Sequence, residues 1–209
     1  MDDVPVPPAD PRARWEQRYS TDDFVFGTEP NDFLRLNVGL LARGSVLCLA
    51  EGEGRNAVFL AGSGFQVSSV DLTEAGVLKT RRLAGERNVE VDASVGDLTD
   101  FDLGRSRWDA IVSIFAHLPP ATRRSLHRRV IDALRPGGVL LLEAYTPAQV
   151  GRGTGGPPDA AFTMTLEGLR DELEGLEFLH GVELLREVIE GPGHTGVGAV
   201  VQVIARKPR

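Results

Sequence analysis

The 209-residue sequence has room for one α/β domain and a sizeable core, but not for a nucleotide domain beside a full substrate domain. Composition is ordinary for a globular protein, 42% hydrophobic and 25% charged, and a formal net charge of −7 does not suit a chain that tracks nucleic-acid phosphates. The single cysteine, Cys48, allows no internal disulfide, no apolar run reaches the ~18 residues of a membrane span, and Asp2 and Asp3 stand where a secretory signal is basic, so a cytoplasmic single-domain protein is expected.

Residues 1–12 hold four prolines and four acids or bases and read as a poorly ordered arm. Trp15 and Tyr19 then stand four apart, the spacing of one helical face, ahead of FVFGTEPNDFLRL. An aromatic helix and loop over residues 13–30 can cover a site or simply pack on the domain. The stretch from Gly44 to Asp71 organises the rest: an apolar run, Val46 to Ala50, empties into Gly52 and Gly54, a helical segment follows, and a second β-like run closes on Asp71. That acid lies 19 residues beyond Gly52, close to the spacing at which a carboxylate reaches the hydroxyls of a nucleotide ribose.

Gly52-x-Gly54-x-x-Ala57 satisfies the dinucleotide fingerprint, but Glu51 and Glu53 flank Gly52. A carboxylate about 4 Å from a phosphate costs roughly 4 kcal/mol at an effective dielectric of about 20. An adenosine ligand that carries an ammonium and a sulfonium in place of phosphates meets attraction there, which favours S-adenosylmethionine over a nicotinamide cofactor.

Thr73 to Arg87 reads as a helix whose Lys79, Arg81 and Arg82 form a solvated face, and Val89 to Val95 as a third strand ending in Gly96-Asp97-Leu98. An acid and an apolar residue at that strand end can bond an adenine amino group and cover the ring. Trp108 to Phe115 is a fourth strand, with His117 just past its end, and Pro119-Pro120 open a helix with an apolar stripe and a basic outer face that includes Arg123. Val139 to Ala144 is a fifth strand, residues 147–162, rich in glycine and proline, are a linker or, as their place after that strand favours, a lid, and two further strands flank a hairpin loop, Gly191 to Gly196. Strands alternating with helices give a parallel sheet whose ligands sit beyond the strands' carboxyl ends, so Glu51, Asp71, Asp97, His117 and Tyr145 converge on one rim.

The segments WEQRY, FGTEPNDFL, VLCLAEGEGRNAVFLA, SSVDL, VGDLTDF, WDAIVSIFAHLPP, LRPGGVLLLEAY and EGPGHTGVGAVVQVIARKP cover the chain from about Arg14 to its end. They resemble the class I S-adenosylmethionine-dependent methyltransferases, and more narrowly the bacterial tellurite-resistance-type relatives of thiopurine methyltransferase. The resemblance implies a Rossmann-like doubly wound sheet of seven strands, mostly parallel with the last strand antiparallel, and S-adenosylmethionine as cofactor at the inferred rim. By position, Ala50 and Asn56 lie at the cofactor and Glu51, Gly52, Glu53 and Gly54 face its methionine half. Asp71 takes the ribose with Leu72 beside it, Asp97 and Leu98 take the adenine, and Phe115 and Ala116 sit near the transferable methyl. Trp15, Tyr19, Phe26 and Gly27 close over the cofactor. The chain departs from the family pattern at Cys48, often an acid, at Ala50, usually the first glycine, and at Thr195, where an arginine follows the histidine.

The resulting expectation is a methyltransferase (EC 2.1.1) acting by in-line displacement on a small-molecule nucleophile, a thiol or a tellurium or selenium oxyanion. It needs no metal, and it has no nucleic-acid or membrane partner. His194 and His117 are its candidate catalytic residues, His194 because an imidazole with an ordinary pKa near 6.5 exchanges protons at neutral pH. A non-catalytic S-adenosylmethionine-binding protein and a nicotinamide-dependent oxidoreductase are the rival readings.

Overall fold

The computed structural model describes residues 10–209. Residues 1–9 of the arm expected over 1–12 lie outside the described residues; the arm's end, however, is helical. Asp10 caps helix α1 (Pro11–Tyr19), its carboxylate accepting from the backbone N–H of Arg12 and Ala13, and Pro11 sits where its missing N–H is harmless. A short helix that the sequence reading did not anticipate, α2 (Asp32–Asn37), follows and is capped by Asn31.

Seven strands form one sheet: β1 (Ser45–Leu49), β2 (Gln66–Asp71), β3 (Asp92–Val95), β4 (Trp108–Ile114), β5 (Leu134–Tyr145), β6 (Glu177–Ile189) and β7 (Thr195–Arg206). Their order is β3-β2-β1-β4-β5-β7-β6, and only β7 runs against the others, wedged between β5 and β6. This is the expected architecture. The third strand starts at Asp92 rather than Val89, and the fifth at Leu134 rather than Val139, so that Arg135 to Gly138 belong to the start of β5. The strand order reverses between β1 and β4, and in such sheets the crevice beyond that switch point receives ligands.

Alternate residues of the central strands feed two cores, which is why these strands read as continuous apolar runs. Val46 and Cys48 pack with Val112 and Leu141 under Phe33 and Leu34 of α2 and Leu60 of α3 (Arg55–Gly62). Leu47 and Leu49 pack on the other face with Leu140, Leu142, Leu126 and Val130 of α5 (Pro120–Ala133), and Leu169 of α6 (Leu166–Glu172).

Two basic runs expected to be solvated are so only in part: Arg81, Arg82, Arg124 and Arg128 are exposed, but Lys79 and Arg123 are buried. On α4 (Glu74–Glu86), Lys79 is buried at 6% exposure and paired with Glu53 at 2.8 Å, while Arg81 and Arg82 donate to the carbonyls of Ala93 and Asp22. On α5, Arg123 is buried and grips Glu172 through Nε and Nη2, and His127 Nδ1 meets the same carboxylate at 2.7 Å. Helical periodicity locates a face; it does not say whether another element will cover it.

Burial pushes the Glu172 carboxyl up, but the hydrogen bonds and charges of His127 and Arg123 overcome that and hold it at about 2. A carboxyl held below its unfolded value stabilises the fold above its unfolded pKa, and that contribution fades as pH falls toward the folded value. Urea unfolding of Glu172→Gln is expected to show a deficit on the order of 2 kcal/mol near neutrality that shrinks below about pH 4. A deficit of the same size at low pH contradicts the tie between α5 and α6.

Candidate functional site

Beyond β1 the chain passes through Ala50 to Gly54 into α3. Gly52 and Gly54 have φ of 64° and 94°, and Ala50 itself has φ of 47°, a left-handed conformation that a glycine holds without steric cost. The turn is crowded on both sides. A Cβ on Gly54 would stand 2.7 Å from the Cα of Thr80 on α4, and one on Gly52 would stand 2.7 Å from the Tyr19 hydroxyl of α1. Tyr19 therefore lies directly on the glycine turn, stacked against Trp15 at 5.4 Å.

The acids of this turn divide their work in a way that spacing did not reveal. Glu51 Oε1 accepts from the backbone N–H of Asn56 and Ala57 at 2.9 and 2.8 Å, so it occupies amides of the α3 N-terminus that a phosphate would use. Burial dominates its titration and pushes it up to about 7. Glu53, expected at the ligand, turns away: it pairs with Lys79 and accepts from the amides of Val25 and Phe26 at 3.1 and 3.0 Å, which fastens the N-terminal segment to the turn. Asn56 likewise accepts from the Asn31 N–H at 2.9 Å and anchors α2.

Asp71 stands at the tip of β2 as expected, but as a brace first. Oδ2 accepts from the Gly52 N–H at 2.8 Å, and Oδ1 from the Thr73 N–H and hydroxyl at 2.9 and 2.6 Å. Three of about four acceptor positions of a carboxylate are thereby used. Burial holds its carboxyl above the usual range against those hydrogen bonds. Asp97 is exposed at the end of β3, held below the usual range by hydrogen bonds from Thr99, and Leu72 is half-buried near Asp71. Leu98, expected to cover an adenine, instead belongs to the core with Leu103 and Trp108.

At the β4 and β5 tips an aromatic cluster forms. Phe115 has φ of 54°, a strained conformation for a bulky residue, and it stacks on Tyr145 at 4.6 Å and meets His194 edge-on at 4.8 Å. Phe26 closes on His194 at 4.6 Å, and Ala116 is buried beside Phe115. His117, expected to be catalytic, has both ring nitrogens engaged: Nδ1 lies 3.1 Å from the Phe162 carbonyl and Nε2 accepts from the Tyr145 N–H at 3.4 Å. Burial pushes it down to about 4, so it is a neutral strut between strand tips and the following loop. His194 is placed at the cluster, yet burial, then the Arg55 charge, pushes it down to about 3. The imidazole near 6.5 expected from the sequence is not the one in the fold.

Three segments meet over this rim. A Cβ on Gly193 would stand 2.6 Å from the Phe26 ring, and one on Gly155 would stand 2.7 Å from His194 Cδ2, so the hairpin loop touches both the N-terminal segment and the 147–162 loop. Gly27, at φ of 71°, carries the N-terminal segment past Gly191.

Beneath the cluster lies a network that sequence reading missed. Arg186 Nε and Nη2 grip Glu143 at 2.7 Å each, and Nη2 also meets Glu190 at 2.7 Å. Arg55 pairs with Glu190, Gln202 donates to Glu143 at 2.7 Å, and the Asn31 amide donates to both glutamates. One signal was available: Glu143 is a lone acid inside the apolar run of β5, and a buried charge in such a place needs partners.

Residues 46–138 match a family model described as a methyltransferase domain. No curated protein matches the sequence. Among solved structures, one reported with the conversion of a disulfide bond into a thioacetal group during echinomycin biosynthesis is 22% identical with a TM-score of 0.74, over 92% of this chain and 88% of that one. TehB from Haemophilus influenzae is 21% identical with a TM-score of 0.69, over 93% of this chain and 66% of TehB. The N-methyltransferase NodS from Bradyrhizobium japonicum, in complex with S-adenosyl-L-homocysteine, is 16% identical with a TM-score of 0.71, over 93% of this chain and 97% of NodS. At these identities the likeness is one of fold. The segment that holds the glycine turn, Asp71 and Asp97 is thus the one that matches a methyltransferase domain, on a fold shared with TehB and NodS.

Proposed function

We propose that the chain is an S-adenosylmethionine-dependent methyltransferase acting on a small-molecule nucleophile. The observation that carries this reading is the glycine turn itself: Glu51 takes amides at the start of α3 that a pyrophosphate would need, and leaves an acid beside the turn, where a cationic ligand is favoured. The remaining acceptor position of Asp71 suits a ribose hydroxyl, and the exposed carboxylate of Asp97 suits an adenine amino group. When bound, S-adenosylmethionine supplies a methyl group carried on a sulfonium.

The chain's own residues then have two tasks. Tyr19, Phe26 and Trp15 close the rim against water, and Phe115, Tyr145 and His194 wall the space in which an acceptor is aligned. Such walls suit a soft nucleophile, a thiol or a tellurium or selenium oxyanion, for which alignment and a dry site are the main requirements. Calorimetry is expected to detect S-adenosylhomocysteine binding and no nicotinamide dinucleotide, and a thiol panel is expected to release S-adenosylhomocysteine from S-adenosylmethionine. Binding without release from any acceptor makes the protein a sensor; binding of the dinucleotide alone overturns the assignment.

Because Glu51 ionises around pH 7 in the free protein, a cation beside it is held better as pH rises through that value. Affinity for S-adenosylmethionine is expected to rise about tenfold between about pH 5.5 and 7.5, a change equivalent to ~1 pKa unit. Glu51→Gln keeps the acceptor for the α3 amides and is expected to flatten that profile; an unchanged profile in the variant removes Glu51 from the site.

The N-terminal segment is held to the turn through Glu53, Lys79 and the aromatic contacts and to α4 through Glu16, which accepts from the Glu74 and Ala75 amides, and Tyr19 rests where a ligand would approach Gly52. Hydrogen exchange at the amides of Val25 and Phe26, and across Gly151 to Gly156, is therefore expected to slow when S-adenosylhomocysteine and acceptor bind. Equal rates with and without ligands would rule out both segments as lids.

A further inference from the structure

Three buried polar atoms at the rim have no hydrogen-bond partner among the described residues: Arg55 Nη1, the Tyr145 hydroxyl and His194 Nδ1. They belong to one place. A Cβ on Gly155 would stand 2.7 Å from His194 Cδ2 and 3.3 Å from the Tyr145 hydroxyl, and the two rings meet edge-on at 5.5 Å. Arg55 joins them through Glu190, which it pairs with and whose N–H donates to the His194 carbonyl at 2.8 Å. Buried polar groups are almost always paired, so three orphans on one surface mark a complement that is not part of the chain.

Their chemistry defines that complement. A guanidinium offers only donors; one arm of Arg55 is spent on Glu190, and the Nη1 arm is the orphan. Burial, then the charge of Glu190, pushes the Tyr145 phenol up, so it keeps its proton and can donate. His194 is neutral and can present Nδ1–H. Three unpaired donors at one rim, walled by Phe26 and Phe115, fit the oxygens of a compact anion stripped of water. Glu190 prevents collapse of the arrangement: held by Arg186 and Asn31 as well, it fixes the guanidinium from behind.

We propose that Arg55, Tyr145 and His194 form an anion-recognising subsite that selects methyl acceptors carrying a carboxylate or a comparably compact oxygen anion close to the soft nucleophilic atom. The proposal rests on the methyl-transfer reading above and names its substrate class. In the reaction so arranged, the acceptor's soft atom gains the methyl group, the bond from that methyl to the sulfonium sulfur breaks with its electron pair left on that sulfur, and a thiol proton passes to water. The three side chains hold the anionic end and take no part in the displacement.

The test compares small primary alkyl thiols whose far ends are anionic, neutral and cationic, with rates referred to thiolate concentration. With S-adenosylhomocysteine release as readout, 3-mercaptopropionate is expected to exceed 2-mercaptoethanol and cysteamine at least tenfold in kcat/KM. Tyr145→Phe and Arg55→Gln are expected to erase most of that preference while S-adenosylhomocysteine affinity by calorimetry stays within about twofold. Arg55→Lys, which restores the charge, is expected to recover part of it. Binding is read independently of turnover by titrating 3-mercaptopropionate into protein saturated with S-adenosylhomocysteine, with the dissociation constant weakened at least tenfold in both variants. Tyr145→Phe also serves as a folding control, because removing a hydroxyl without a partner leaves the melting temperature equal or higher. Equal handling of the three thiols, or no binding of 3-mercaptopropionate, overturns the subsite. Loss of S-adenosylhomocysteine affinity in Arg55→Gln, with a melting temperature near that of the wild-type protein, assigns the guanidinium to the cofactor's carboxylate and overturns it too. Failure of the wild-type protein to bind S-adenosylhomocysteine at all defeats the methyl-transfer reading instead.

Discussion

Four charges sealed between the sheet and the N-terminal segment govern how this molecule is put together. Glu143 and Glu190 are matched by Arg55 and Arg186, with Asn31 and Gln202 supplying the remaining donors. The six residues come from the start of α3, the loop before α2, β5, β6, the β6–β7 loop and β7, so one network fixes the relative placement of elements distant in the chain. Removing one partner from such a network leaves an uncompensated buried charge and typically costs about 3–5 kcal/mol. Replacing the whole set with apolar residues need not cost anything, because desolvation offsets much of the attraction. Its physical role is therefore placement: it sets Arg55 and the strand tips where the aromatic rim needs them.

The same logic runs through the glycine turn. Asp71 ties the turn to β2 through the Gly52 amide, Glu51 ties it to α3, and Glu53 ties it to the N-terminal segment. Three acids that look alike in a sequence become a brace, a helix cap and a strap. Only Glu51 has its charge both near the ligand's approach and poised near neutrality. The turn is thereby closed to phosphate and open to a cation, without any side chain reserved solely for binding.

The sheet was legible because its strands are apolar runs separated by glycine and proline turns, and the hairpin loop from Gly191 to Gly196 gave away the antiparallel partner. Asp71 was legible because its distance from Gly52 is set by one βαβ unit. What was not legible depended on contacts between distant segments. Lys79 reads as one of a basic run and finds Glu53 only because α4 packs on the turn. His117 reads as a residue just past a strand end and His194 as a loop histidine with ordinary titration, and only the fold shows that one is held by the Phe162 carbonyl and the other is desolvated beside Arg55. Arg55 follows the glycine turn directly, yet its role depends on Glu190, 135 residues away.

We infer that adenine, ribose and methionine lie along the rim from Asp97 past Asp71 to the glycine turn, and the most direct measurement is a crystal structure of the complex with S-adenosylhomocysteine. The expected structure has the adenine amino group at Asp97, the ribose at Asp71, the thioether sulfur facing Phe115 and Tyr145, and the Tyr19 hydroxyl moved off Gly52. A ligand bound elsewhere, or bound with its adenine away from Asp97 and Tyr19 still seated on Gly52, contradicts it.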